Sequence, residues 1–210
     1  MQRNFLSAAI ALALGACSSV GVRTGTEEPH FNRVAKVGGL EIRHYESRVV
    51  AETVVSGNPD AARDEGFGRL AGYIFGANGS SAAYPMTAAW AHGSTQTLAM
   101  TAPVAQSRDA NGAWRIQFFM PHKYRLRDLP QPHNPKVTLV ALPPQTFAVM
   151  RFSGARDGDA VMAKQAALMA SLPVDHWRAM DRPVAWFYDP PWTLPMMRRN
   201  EVAVLVEARP

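Results

Sequence analysis

The sequence predicts an α+β fold of two ββαββ repeats. Eight strands form a curved, barrel-like antiparallel sheet, and two helices pack outside it. Three observations carry that expectation. The stretches Leu40 to Gly57 (LEIRHYESRVVAETVVSG) and Val137 to Gly154 (VTLVALPPQTFAVMRFSG) are each 18 residues long and lie 97 residues apart. Each is an extended run, a turn and a second extended run ending in Ser-Gly. Each then leads into an acid-led helical pattern, and two further strands follow each helix. Letter identity is confined to Ala51/Ala148, Ser56/Ser153 and Gly57/Gly154, so the match is one of pattern. The first copy carries His44 where the second has Ala141.

The elements follow in order. Val34 to Glu46 alternates loosely, with Leu40, Ile42 and His44 on one face and Glu41, Arg43 and Tyr45 on the other. Ser47-Arg48 makes the turn, and Val49 to Val55, rich in β-branched residues, is the return strand. Asn58-Pro59-Asp60 supplies an N-cap, a first-turn proline and an acid for the positive end of the dipole. Phe67, Leu70, Ala71 and Ile74 then share one helical face, and Gly76 is the stop. Gly66, Gly68 and Gly72 each cost helix stability, by about 1 kcal/mol against Ala, and point to close backbone packing against a sheet.

Ala77 to Gln96 is a long loop holding Tyr84, Met86, Trp90 and His92. Thr97 to Gln106 is expected to be a strand whose proline marks an edge or a bulge. Ala110-Asn111-Gly112 makes a turn, and Trp114, Ile116, Phe118 and Met120 alternate along the next strand. Pro121 to Pro135 has no period and links the halves. In the second half, strands are expected over Val137 to Leu142 and Phe147 to Phe152, joined through Pro143-Pro144. Asp157 caps a helix with Val161, Leu168, Met169 and Leu172 on one face, ended by Pro173. Val184, Trp186 and Tyr188 begin a strand, and Glu201 to Glu207 is the last.

At 210 residues and 47% apolar the chain is long enough to bury a core. The net charge of +5 is scattered, with no basic run beyond Arg198-Arg199, so nucleic acid is not an expected partner. The N-terminus reads as a targeting segment. Arg3 is followed by an apolar run of 10 residues, Phe5 to Leu14, too short to span a bilayer. Leu14-Gly15-Ala16-Cys17 looks like a bacterial lipobox. Residues 1–16 are thus expected to be a lipoprotein signal peptide, and 17–33 the lipidated Cys17 and its tether. Acyl chains on Cys17 would hold the protein at a membrane without a spanning helix. Ser18 after the Cys favours the outer membrane, facing the periplasm. With the one Cys lipidated, no disulfide can form.

Several motifs occur in an order that resembles the SOUL haem-binding protein family. They are Glu41-Ile42-Arg43-His44-Tyr45, Gly66-Phe67 with Leu70 and Tyr73-Ile74, Gly76 and Asn78, and Met100-Thr101-Ala102-Pro103-Val104. Phe118-Phe119-Met120-Pro121, Phe152-Ser153-Gly154 and Tyr188 through Pro191-Trp192 to Arg198-Arg199-Asn200-Glu201-Val202 complete the set. The resemblance places the domain over 34–208. It implies a distorted eight-stranded antiparallel barrel with two flanking helices, and haem or another tetrapyrrole as ligand. It also extends to the drug-binding effector domains of some bacterial regulators, which take apolar ligands in a cleft between the repeats. Two departures stand out. Gly79 to Leu98 carries an insertion able to cover or reshape the cleft, and the lipobox is not general to the family.

A tetrapyrrole site needs an apolar slot, optionally an axial ligand, and cations for the propionates. The resemblance makes His44 the axial candidate; the alternative is a strand histidine satisfied by a neighbour. Phe67, Leu70 and Ile74 either line the slot or form core. Arg43 and Arg69 either meet propionates or are solvated. Met86, Trp90 and His92 sit on the inserted loop. Asp157/Asp159 is explained by capping, His122 and His133 match no zinc spacing, and no nucleophile elbow or phosphate loop is present, so no enzyme is expected. The expected function is a non-enzymatic haem- or tetrapyrrole-binding lipoprotein of the bacterial envelope. The alternatives are a general apolar small-molecule binder and a structural or partner-binding lipoprotein.

Overall fold

The computed structural model describes residues 25–79 and 95–209. The strands are β1 (Phe31–Val37), β2 (Leu40–Tyr45), β3 (Arg48–Val55), β4 (Asn78–Gly79), β5 (Val104–Arg108), β6 (Trp114–Phe119) and β7 (Gln131–Pro132) in the first part. They continue with β8 (Thr138–Leu142), β9 (Gln145–Phe152), β10 (Trp177–Ala179), β11 (Val184–Phe187) and β12 (Asn200–Ala208). Helix α1 spans Pro59–Ile74 and α2 spans Gly158–Ser171. The ββαββ plan holds in both halves: β2, β3, α1, β5 and β6, then β8, β9, α2, β11 and β12.

Each helix starts where its cap dictates. Asn58 Oδ1 accepts from Asp60 N at 2.9 Å, ahead of Pro59 in the first turn. Asp157 Oδ1 accepts from Ala160 N at 3.0 Å. Gly76, with φ +117°, turns the chain away after α1.

The main sheet has ten strands in the order β1-β2-β9-β12-β11-β5-β6-β3-β8, with β10 paired to β12. It is not closed into a barrel: among the described residues β1 and β8 are free edges. The hairpin expected at Ala110-Asn111-Gly112 forms between β5 and β6, but the pairs expected at Ser47-Arg48 and Pro143-Pro144 are not hairpins. β2 pairs with β9, and β3 pairs with β8. The two 18-residue units are therefore each other's partners. Tyr45 faces Gln145 and Arg48 faces Leu142, so one antiparallel register runs through both pairings and bends at Glu46-Ser47 and Pro143-Pro144. A local pseudo-dyad passes through that bend. The prolines, with no N–H to donate, suit a place where the ladder breaks.

Both helices lie on one face of the sheet. Leu70, Tyr73 and Ile74 of α1 meet Ala51, Ile116 and Phe118. Val161 and Leu168 of α2, with Leu172 just beyond, meet Ile42, Ala148, Val202 and Val204. Leu168 is fully buried, and cutting it to Ala is expected to cost about 2–5 kcal/mol. The strand alternation sends the neighbouring residues Tyr45, Val50, Phe119, Val149, Trp186 and Ala203 to the opposite, inner face.

Other expectations need correction. Phe67 and Met169 are not on the buried stripes; they are 41% and 40% exposed. Of the three helix glycines only Gly66 makes the close approach: a Cβ there would lie 2.4 Å from Ile116 Cγ1, while Gly68 meets nothing. The strand expected from Thr97 begins only at Val104, and it is central, so Pro103 precedes a strand and marks no edge. The chain joins the domain before Val34: β1 starts at Phe31, and Glu27 bridges Thr101. Most of the inserted segment, with Met86, Trp90 and His92, lies outside the described residues, as does Cys17. Its roots sit beyond the C-terminal end of α1, where Asn78 donates to Tyr73 O and Gln96 O, both at 2.7 Å.

Candidate functional site

The inner face is lined by rings. Tyr45, Phe147 and Trp186 meet edge-on, with centroids 5.3–6.0 Å apart. Beside them runs a buried ionic network. Arg43 Nη1 and Nη2 donate to Glu201 at 2.8 and 3.2 Å, and Arg43 Nε donates to Glu41 at 2.8 Å. Tyr188 OH donates to Glu201 at 2.8 Å. Arg199 donates to Glu201 at 3.2 Å and to both Glu28 oxygens at 2.9 Å. Burial alone would push the Arg43 guanidinium down, but Glu201 outweighs it and holds Arg43 above its ordinary value. Burial pushes the Tyr188 and Tyr45 phenols up.

An open cleft of about 240 Å³ enters this face at the bend. Its walls are the segment ahead of β1 (Glu27 to His30), the bend Glu46 to Arg48, and Thr101 with Phe119, Met120 and His122. Glu27 Oε1 accepts from His122 N at 2.6 Å and lies 2.8 Å from His122 Nδ1. Burial raises the Glu27 carboxyl, but the His122 hydrogen bonds prevail and it ends below the ordinary glutamate range. His30 stacks edge-on to His122 at 5.6 Å.

Arg48 forms the floor. It is the first residue of β3, in phase with Val50 and so on the inner face. Its Nη2 donates to Gln145 Oε1 at 2.8 Å, and its guanidinium lies over the Tyr45 ring at 4.6 Å. Phe119 and Phe147 stand further out, at 5.5 and 5.8 Å. Its Nε is buried without a partner. Burial with no compensating charge pushes Arg48 down to about 10.

The sequence-predicted site residues do not converge. Arg43 is on the inner face but saturated by Glu201 and Glu41. His44 is half-buried on the helix face, in phase with Leu40 and Ile42, and its Nδ1 is 3.0 Å from Thr146 Oγ1. Leu70 and Ile74 are core beneath α1, and Phe67 is exposed beside Phe118. Arg69 ties α1 to β3 through Thr53 Oγ1 and Val54 O. Sequence reasoning missed Arg48, Glu201 and His30. For Arg48 a signal existed: it is the repeat equivalent of Gln145, so the two copies differ at the bend by a charge. Among the described residues no His/Cys/Asp/Glu group is arranged to hold a metal ion, and no helix is long and apolar enough to cross a membrane.

Fold and site define an α+β protein made from a duplicated ββαββ unit with a cleft at the bend of its inner face. More particularly, the chain belongs to the SOUL heme-binding protein family, whose sequence model matches residues 26–205. No curated protein matches it significantly. Solved structures show the same fold at low identity. The C-terminal domain of EcmrR superposes with a TM-score of 0.57 at 11% identity, over 80% of this chain and 96% of that one. EcmrR in a DNA complex gives 0.55 at 10%, over 96% of this chain and 65% of that one. A hydrolase from Listeria innocua gives 0.50 at 11%, over 83% of this chain and 94% of that one. At these identities the likeness concerns the fold alone.

Proposed function

We propose that this protein is a non-enzymatic haem- or tetrapyrrole-binding lipoprotein of the bacterial envelope. Lipid on Cys17 holds it at the outer membrane, facing the periplasm. The observation that carries the reading is the family match over residues 26–205. The cleft supports it chemically. His30 and His122 offer imidazoles for iron, Arg48 offers a cation for a carboxylate, and Phe119 and Met120 offer apolar contact. Its volume is below the roughly 300–1,000 Å³ of pockets that enclose drug-sized ligands. It suits one edge of a macrocycle with the remainder outside. The apolar wall of Phe119 and Met120 favours a second reading, a general binder of apolar small molecules.

Hemin titration of the Cys17→Ser protein, followed in the visible spectrum, tests the first reading. A saturable, shifted Soret band is expected, unchanged in His44→Ala because His44 is on the helix face. Absence of saturable hemin binding, with binding of unrelated lipophilic dyes, moves the second reading ahead. Labelled palmitate incorporated into the parent and absent from Cys17→Ser tests the anchor.

A further inference from the structure

Arg48 is an inner-face cation with no anion. Arg43 has Glu201 and Glu41, Arg199 has Glu28 and Glu201, and Arg63 has Asp60. Among the described residues no carboxylate comes within ion-pair distance of Arg48. The acids of the cleft walls are committed elsewhere: Glu27 to His122 and Glu28 to Arg199. Glu46 is exposed at the rim and makes no ion pair with Arg48. A guanidinium held among rings with an unpartnered Nε has lost water without gaining a counter-charge, an arrangement folding alone does not favour. Gln145 holds one terminal nitrogen and so fixes the plane of the fork.

We propose that the cleft selects its ligand by a carboxylate, which docks on Arg48 while an apolar body lies against Phe119 and Met120. The proposal rests on the inner-face cleft being the ligand site. A guanidinium takes a carboxylate through two parallel N–H···O bonds, and a low-dielectric wall strengthens them. Cationic ligands are disfavoured, because the fully buried acid of this face, Glu201, already has Arg43 and Arg199. The ligand class is therefore an apolar carboxylic acid, of which a propionate-bearing tetrapyrrole is one member. The position follows from the duplication: Arg48 and Gln145 are equivalent residues that meet at the pseudo-dyad, and only one of them is charged.

The test uses two acid–ester pairs, hemin with its dimethyl ester and pyrenebutyrate with its methyl ester. Each is titrated into the Cys17→Ser protein and into the same protein carrying Arg48→Met or Arg48→Lys. The acid is expected to bind about tenfold or more tighter than its ester. The preference falls to parity in Arg48→Met and is partly restored in Arg48→Lys, with circular dichroism confirming that both variants fold. Equal binding of acid and ester to the parent overturns the proposal, as does a preference that survives Arg48→Met. Hemin binding without acid preference overturns the carboxylate site and leaves the tetrapyrrole reading standing. An Arg48-dependent preference for pyrenebutyrate without hemin binding supports the site and removes the tetrapyrrole reading.

Discussion

Arg43 Nη1 lies 2.8 Å from Glu201 Oε2, joining a strand of the first repeat to the last strand of the second. Glu201 is wholly buried and also takes Arg199 and the Tyr188 hydroxyl. Removing one partner of a buried pair leaves a charge uncompensated, which costs about 3–5 kcal/mol. Glu201→Ala is expected to lose about the lower end of that in urea unfolding, since it takes the buried acid from two guanidinium groups and leaves them only Glu41 and Glu28 at the edge. Arg43→Met is expected to lose less, because Arg199 still faces Glu201. Equal losses would mean that the two arginines do not share the acid.

Gly66 and Gly68 are two residues apart on α1 and should respond oppositely to alanine. At Gly66 the new Cβ would sit 2.4 Å from Ile116 Cγ1, on a sheet that cannot retreat. Overpacking of this kind costs about 1–3 kcal/mol. At Gly68 there is open space, and Gly68→Ala should gain about 0.5–1 kcal/mol from helix propensity. Thermal unfolding of the two variants checks the sign of each.

Tyr45, Tyr73 and Tyr188 all have phenols pushed up, chiefly by burial. Unfolded phenols ionise near 10. The folded values lie higher, so the stability these groups contribute is complete below about pH 10 and is lost as pH rises towards them. Absorbance at 295 nm should show these three ionising together with loss of near-ultraviolet dichroism. All phenols titrating near pH 10 with the fold intact would contradict the buried placement.

Glu27 gives the acid limb. Its carboxyl is depressed in the folded state by His122, so its contribution is present above about pH 4.3 and is lost as pH falls through the folded value. Glu27 also fastens the segment over the cleft mouth, through its backbone bridge to Thr101. As pH falls below the ordinary glutamate range, opening of residues 27–31, read by amide hydrogen exchange against the intrinsic rate, should therefore increase before opening of β12 does. Simultaneous quickening would show that the segment is not a separate stability unit.

Arg48 should cost stability in the empty protein. Arg48→Met keeps much of the volume and removes the unpaired charge, so its Tm should rise by about 2–4 °C without ligand. A fall would show that the ring and Gln145 contacts outweigh the desolvation.

Much of this was legible in the sequence. The caps at Asn58 and Asp157, the ββαββ order and the alternation in β6 and β12 are local signals, and local physics decides them. Strand partnership is not local. The reading that adjacent strands form hairpins fails here because Glu46-Ser47 and Pro143-Pro144 are bends between sheet segments, each continued by the other repeat. The site suffered from the same error. With Ser47-Arg48 read as the turn between two strands, Arg48 had no place in a site. With the bend recognised, it lies on the floor of the cleft. His44 drew notice as an asymmetry between the copies, but its strand phase puts it with Leu40 and Ile42, away from the cleft.

The exchanged pairing of β2 with β9 and β3 with β8 bears on what one repeat would be without the other. A chain holding only the first repeat would leave one edge of β2 and one edge of β3 bare, each offering unpaired backbone to solvent. A second identical chain, turned about the dyad, would cover them in the same register. One chain thus holds, as an internal pair, the arrangement that a twofold dimer has between two chains, with Pro121 to Pro135 as the link. Within one chain the two halves of a symmetric floor need not be alike, and here a single Arg faces a Gln at the axis.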